Sequence, residues 1–446
     1  MKRLIETLKN IYKIEELRKR IIFTLGIILI YRLGSFVVIP GINPTMLDKL
    51  ATQSDSNGLM GLLDMFSGGA FSNASIFALG IMPYISASIV IQLLAMVVPY
   101  FQKLQREGES GRRKINQWTR YLTIVVLMLQ GPAYLANLYN TIPAEAFVLG
   151  VDSFLFRFVA MVSMIAGTMF VMWLGEKITD RGIGNGISLI IMVGIIARLP
   201  FAFIAEANTR FTGAAGGLVM LVVELVILFL VFAGGIALTQ GQRKVPVQYA
   251  KRIVGNKQYG GVRQYIPMKV NSANVMPIIF AQALMFIPMI FSRFDSTQGI
   301  ATVFGNYQGF WYNFTFAILV VAFTYFYTAI TMNPNMMAED MKRNGGFIPG
   351  VKPGKKTAEY IDTIMTRLTL PGAFLLAAIA ILPAFARLFG VSMGFAQFFG
   401  GTSLLIMVGV ILDTLQQIES KLLERHYDGF YESGMRIKGR SGAMAY

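Results

Sequence analysis

Residues 59–98 form an apolar block with no Lys, Arg or Glu and a single acid, Asp64, and the block is broken by Ser67-Gly68-Gly69-Ala70-Phe71-Ser72-Asn73. A membrane-spanning helix needs about 20 apolar residues at roughly 1.5 Å each. The 40 residues of this block are too many for one span and too few for two spans with a loop between them. A half-helix followed by a full helix is the parse that remains. Irregular backbone at membrane depth survives only where protein buries it or where it lines a watery cavity. The stub ending in Gly68-Gly69 therefore predicts a vestibule, and with it a pore or a binding cavity.

The rest of the chain supports a membrane setting. Its 446 residues have a mean hydropathy of +0.56, are 54% hydrophobic and only 14% charged, which places the chain among polytopic membrane proteins. It has no cysteine, and its one histidine, His426, lies in the polar C-terminal tail, so thiolate metal sites, Cys nucleophiles and most acid–base chemistry are closed off. No metal or other cofactor is expected. The first twenty residues are charged and amphipathic (Lys2, Arg3, Lys9, Lys13, Arg18, Lys19, Arg20) and feed directly into a span, with no cleavable signal pattern.

Hydropathy windows of about 19 residues place ten spans near 21–39, 74–98, 121–139, 154–174, 183–204, 212–238, 272–292, 312–332, 368–386 and 392–414. Of the 40 Lys and Arg residues, 33 fall in the N-terminus, the C-terminal tail and the 2/3, 4/5, 6/7 and 8/9 connections. Five others, Lys49, Arg198, Arg210, Arg293 and Arg387, fall on the opposite side. The positive-inside rule then puts both termini and those four loops in the cytoplasm. The net charge of +16 thus reflects topology rather than sequence-specific nucleic-acid binding.

The chain divides into a cytoplasmic N-terminus (1–20), an N-terminal half of five spans (21–206) that includes the broken segment 59–72, a C-terminal half of five spans (207–419) and a cytoplasmic tail (420–446). An odd number of spans per half makes the halves oppositely oriented, as in inverted repeats. Pro83 in span 2 and Pro277 in span 7 sit in similar settings, Gly80-Ile81-Met82-Pro83 and Asn274-Val275-Met276-Pro277. Two cytoplasmic loops, 240–271 and 333–367, exceed the length of ordinary connections. The first carries Arg243, Lys244, Lys251 and Arg252 among tyrosines and a proline, and the second carries Lys352, Lys355 and Lys356. Such mixtures suit ordered hairpins or short helices that dock a large cytosolic partner.

Two motifs fail on inspection. Gly350-Val351-Lys352-Pro353-Gly354-Lys355-Lys356-Thr357 lacks the glycine spacing and the Ser or Thr after the lysine that a phosphate loop needs. Gly182-Ile183-Gly184-Asn185-Gly186 opens a span outside any βαβ context, so its glycines serve a tight turn and close helix packing. A secondary transporter remains an alternative, but it calls for ionisable groups within the spans, and the one clear acid there is Glu224. That residue is either a coupling group or a carboxylate paired with a basic neighbour. An intramembrane enzyme has no Cys, His or paired carboxylates within the spans to work with.

Several long motifs carry a family likeness. Phe66-Ser67-Gly68-Gly69-Ala70 followed by Ser75-Ile76-Phe77-Ala78-Leu79-Gly80-Ile81-Met82-Pro83-Tyr84-Ile85-Ser86-Ala87-Ser88 closely resembles the SecY family of protein-conducting channels. So do Glu107-Gly108-Glu109-Ser110-Gly111-Arg112-Arg113-Lys114, the Gly182–Ser188 run, Tyr249-Ala250-Lys251-Arg252, Thr357–Leu370 and Gly400-Gly401-Thr402-Ser403-Leu404-Leu405. The resemblance implies an all-α membrane protein of ten helices in two inverted halves, hinged between spans 5 and 6, with a plug half-helix closing an hourglass pore. The function it implies is to pass unfolded secretory proteins across the inner membrane and release hydrophobic segments sideways into lipid. The implied partners are SecE-like and SecG-like small membrane subunits, a SecA-type ATPase, the ribosome, and signal peptides with their nascent chains.

The family's plug maps here onto Leu62, Leu63, Met65, Phe66, Ser67, Gly68 and Gly69, and its pore ring onto Ile81, Ile85, Ile187, Ile191, Ile279 and Ile406. Ile81/Ile85 and Ile187/Ile191 are each four apart, so each pair stacks on one helical face. A constriction of branched alkyl groups strips water and blocks ions, yet it can grip any polypeptide without specific bonds. The implied lateral gate lies between spans 2/3 and 7/8 and involves Ser86, Gln92, Gln130, Asn274 and Ile287. Its polar contacts across helices are worth about 0.6 to 2 kcal/mol each. Arg243 matches a position tied to ribosome and ATPase docking, whereas Lys352 stands where the family usually has Arg and lacks the planar bidentate fork.

Overall fold

In a computed structural model of the chain, the described residues are 14–47, 58–148, 154–212, 217–249, 252–254, 257–259, 263–273, 275–285 and 309–434. The N-terminal half contains α1 (Glu15–Gly34), α2 (Gly58–Ser67), α3 (Met82–Val97), α4 (Pro99–Arg106), α5 (Glu109–Thr141), α6 (Phe154–Arg181) and α7 (Gly186–Thr212). The C-terminal half contains α8 (Gly217–Gln240), α9 (Met276–Met285), α10 (Phe310–Thr331), α11 (Pro334–Arg343), α12 (Lys355–Leu388) and α13 (Gly401–Gly434). Seven helices among the described residues are long and apolar enough to cross a membrane.

Two boundaries depart from the hydropathy expectation. The span expected over 74–98 is helical only from Met82, and the one expected over 392–414 opens with two short turns, Met393–Ala396 and Gln397–Phe399, before Gly400 interrupts it and the long helix starts at Gly401. Hydropathy scores apolar residues alike whether lipid or protein covers them. Here Ala74, Phe77 and Ala78 in one segment, and Phe395, Phe398 and Phe399 in the other, are buried inside the protein. Pro83 therefore lies in the first turn of α3, and Pro277 takes the same place in α9. The first turn is where a missing N–H costs nothing and a fixed φ suits the helix.

Within the N-terminal half α3 packs on α5, α6 on α7 and α1 on α6, and in the other half α9 and α12 both pack on α10. The halves meet where α8 and α13 lie against α7. Close approach of α6 and α7 depends on the glycine-rich turn between them, since a Cβ on Gly186 would lie 1.9 Å from the Gly175 carbonyl oxygen. That is the packing role expected for those glycines.

The two long loops fold into a single unit. Strands β1 (Gln242–Tyr249) and β4 (Arg263–Lys269) pair antiparallel with Arg243 opposite Met268, and β5 (Gly346–Phe347) adds to the other edge of β1. A short ribbon of β2 (Arg252–Val254) and β3 (Lys257–Tyr259) extends between β1 and β4 in sequence. Alternation in β1 puts Val245 and Val247 inward, where they pack with Met268, Met341, Ile348, Ile361 and Ile364. Loop 8/9 and the start of α12 thus complete the core that loop 6/7 begins.

Candidate functional site

Helix α2 stops at the break that the sequence marks. Gly68 and Gly69 have φ of +65° and +92°, left-handed values that side-chain-bearing residues avoid. A Cβ on Gly68 would also come within 2.8 Å of the Gly194 Cα, so α2 and α7 touch backbone to backbone. Four side chains hold the segment that follows. The Tyr31 hydroxyl donates to the Ser67 carbonyl at 3.1 Å, and Arg32 Nη1 donates to the Gly68 carbonyl at 2.8 Å. The Tyr134 hydroxyl donates to the Phe71 carbonyl at 2.9 Å. Arg198 Nη2 donates to both Asp64 Oδ2 and Ser72 Oγ, while the Ser72 N–H donates to Asp64 Oδ1 at 2.7 Å.

Below these bonds lies an apolar cluster. Met65, Phe66 and Ala70 are buried in one core with Ile81, Ile191 and Ile406, and Ile85 and Ile187 pack against it. Five of the six isoleucines singled out in the sequence thus meet one another and the half-helix. The sixth, Ile279, is half-buried and outside the cluster, to which Val275, just ahead of α9, contributes instead. Leu62 and Leu63 lie on α2, but their side chains are outside the described set. The cluster draws on α2, α3, α7 and α13, so it straddles the two halves. Branched and aromatic side chains packed together in this way exclude water from among them.

The residues expected at the lateral gate are only partly brought together. Ser86 and Gln92 are half-buried on α3, but Gln92 Nε2 donates to Ser88 Oγ at 3.2 Å on its own helix rather than across a gap. Gln130 is exposed, and Asn274 and Ile287 lie outside the described residues. Among the docking candidates Arg243, Lys244, Lys352, Lys355 and Lys356 are exposed. Lys251 and the side chain of Arg252 lie outside the described set. Lys356 Nζ donates to Glu359 at 2.8 Å, which holds the amine above and the carboxyl below their usual values.

One buried network escaped the sequence. Arg210 pairs with Glu206 at 2.8 Å and with Glu224, and also donates to the Gly390 carbonyl at 2.9 Å. Glu206 in turn accepts the Ser392 N–H at 2.8 Å. Glu224 is therefore a paired carboxylate, which removes the one acid the transporter alternative relied on. The spacing of Glu206 and Arg210, four apart on a helix, was the available signal. Among the described residues no group of His, Cys, Asp and Glu is arranged to hold a metal ion.

A family model described as SecY matches residues 75–415. The protein translocase subunit SecY of Streptomyces griseus is 44% identical over 433 residues, covering 94% of this chain and 98% of its own. Among solved structures, one in which the plug domain of a SecY protein stabilises the closed channel and maintains a membrane seal superposes with a TM-score of 0.61 at 16% identity, covering 94% of this chain and 95% of the other. Sec61 from a canine ribosome–channel complex of the endoplasmic reticulum gives 0.59 at 15% identity, with the same coverage.

Proposed function

The chain belongs to the SecY family, and from that premise we infer that it is a protein-conducting channel of a protein translocase, a multi-pass membrane protein and not an enzyme. The observation that carries the mechanism is the single buried cluster in which Met65 and Phe66 of the half-helix meet Ile81, Ile191 and Ile406. On this reading residues 59–72 are the plug and the isoleucines the constriction. Greasy, branched side chains are compatible with a channel that must pass any sequence, because they seal by excluding water and offer no fixed partner to a translocating chain.

Ten spans in two inverted halves, with both termini in the cytoplasm of a cell whose inner membrane holds the channel, complete the proposal. The charge distribution supports that orientation. The sheet built from loops 240–271 and 333–367 is the proposed docking surface for a ribosome or a SecA-type ATPase, with Arg243, Lys244 and Lys352 exposed on this unit. SecE-like and SecG-like subunits are the proposed membrane partners. Signal peptides enter between α3/α5 and α9/α10, and gate opening is a shift between populated states that the signal helix favours.

Single-channel recording in planar bilayers, comparing the intact protein with a variant lacking residues 60–72, tests the plug. Frequent, large and poorly selective openings in the variant beside a nearly silent intact protein are expected. Silence from both, with normal insertion, overturns the plug assignment.

A further inference from the structure

All hydrogen bonds and ion pairs that residues 64–72 make to other elements, among the described residues, go to α1, α5 and α7 of the N-terminal half. The apolar cluster that holds Met65, Phe66 and Ala70 is different, because it includes Ile406 and the Phe395–Phe399 turn of the C-terminal half as well. The polar attachments of the half-helix are therefore confined to one half, whereas the apolar cluster around it spans both.

Arg198 is the centre of the polar set. Its guanidinium lies over Gly69, where a Cβ would sit 3.2 Å from the Arg198 Cζ, close enough that the guanidinium would have to shift to admit one. It bridges Asp64 at the end of α2 to Ser72 beyond the break, and the Ser72 N–H closes the triangle onto Asp64. Asp64 keeps 6% of its side-chain surface and Arg198 keeps 30%, so the cation is partly open and the carboxylate is enclosed. A pair of this kind is separable, since the arginine can be rehydrated as it leaves. The carboxylate it abandons is left buried and unpaired, which holds the pair shut at rest.

We propose that Arg198 is the positioning residue that latches the plug, and that parting of the two halves breaks the apolar seal first while this clasp keeps the plug on the N-terminal half. Full opening then requires a second event, release of Asp64 and Ser72 from Arg198. This rests on the plug assignment above and adds to it which residue holds the plug and in what order its attachments fail.

Single-channel recording of the full-length chain with its copurifying subunits tests the latch, with the variant lacking residues 60–72 as reference. Rare wild-type openings are expected at a level below that of the deletion, because the plug stays docked beside the pore. Arg198→Ala is expected to open at least about tenfold more often and to reach the deletion's level, the size set by leaving a buried carboxylate unpaired. Arg198→Lys, which keeps the charge, is expected to return most of the wild-type silence. Should Arg198→Ala fail to accumulate in the membrane, Asp64→Asn and Ser72→Ala keep the local volume and are expected to raise opening frequency in the same direction. An open deletion beside an Arg198→Ala, or a substituted Asp64 and Ser72, that behaves as wild type overturns the latch and leaves the plug standing. A silent deletion overturns the plug assignment and the latch with it.

Discussion

Arg198 and Arg210 lie twelve positions apart on α7 and both reach a carboxylate on another helix, yet they sit in opposite environments. Arg210 is 3% exposed between Glu206 at 0% and Glu224 at 2%, and it also caps the Gly390 carbonyl. It ties α7, α8 and the turn after α12 into one corner. Arg198 is 30% exposed and holds a single carboxylate on the half-helix beside the constriction. An ion pair sealed on every side cannot come apart without stranding charges in an apolar interior, so it behaves as a fixture. One with a solvated cation can part and re-form.

The contrast can be broken most severely at the buried corner. Arg210→Met leaves two carboxylates without that guanidinium and should cost about 3–5 kcal/mol. The expected result is poor membrane accumulation and early thermal unfolding in detergent. A well-assembled Arg210→Met with altered gating would mean that the corner moves as the clasp does. A smaller effect is expected where the seal is apolar. Ile406→Asn puts an amide into the cluster around Met65 and Phe66, costing the closed state about 1–3 kcal/mol for an unpaired polar group. Export of a substrate with a defective signal sequence should rise, and unchanged export counts against Ile406 in the seal. Smallest of all is Tyr134→Phe, which removes one neutral hydrogen bond to the Phe71 carbonyl, worth about 1 kcal/mol. Its opening frequency should fall between wild type and Arg198→Ala, and a value above Arg198→Ala would shift the latch from α7 to α5.

Much of this site is legible without coordinates. Asp64, Ser67, Gly68 and Gly69 announce a helix that must stop inside the membrane, because no loop of full length fits and only glycine takes the left-handed turn easily. The stacked pairs Ile81/Ile85 and Ile187/Ile191 follow from helical periodicity. Loops 240–271 and 333–367 are recognisable from the sequence as ordered, but not as one sheet. The pairing of Tyr249 with Gly346 joins segments almost a hundred residues apart, and a strand of two residues carries no periodicity to detect. The late starts of α3 and α13 were hidden for a related reason, since protein and lipid draw on the same apolar residues.

Local chemistry along the chain was enough for the membrane setting, the broken helix and the apolar character of the cluster around Ile81, Ile191 and Ile406, because hydropathy, backbone freedom and side-chain period act over a few residues. Partnership across the fold was not. Nothing near position 198 says that its guanidinium belongs to Asp64, 134 residues away, or that Arg210 is sealed between Glu206 and Glu224 while Arg198 stays partly exposed. Those choices depend on how helices pack and how deeply each charge is buried, and burial is a property of the assembled fold rather than of any stretch of chain.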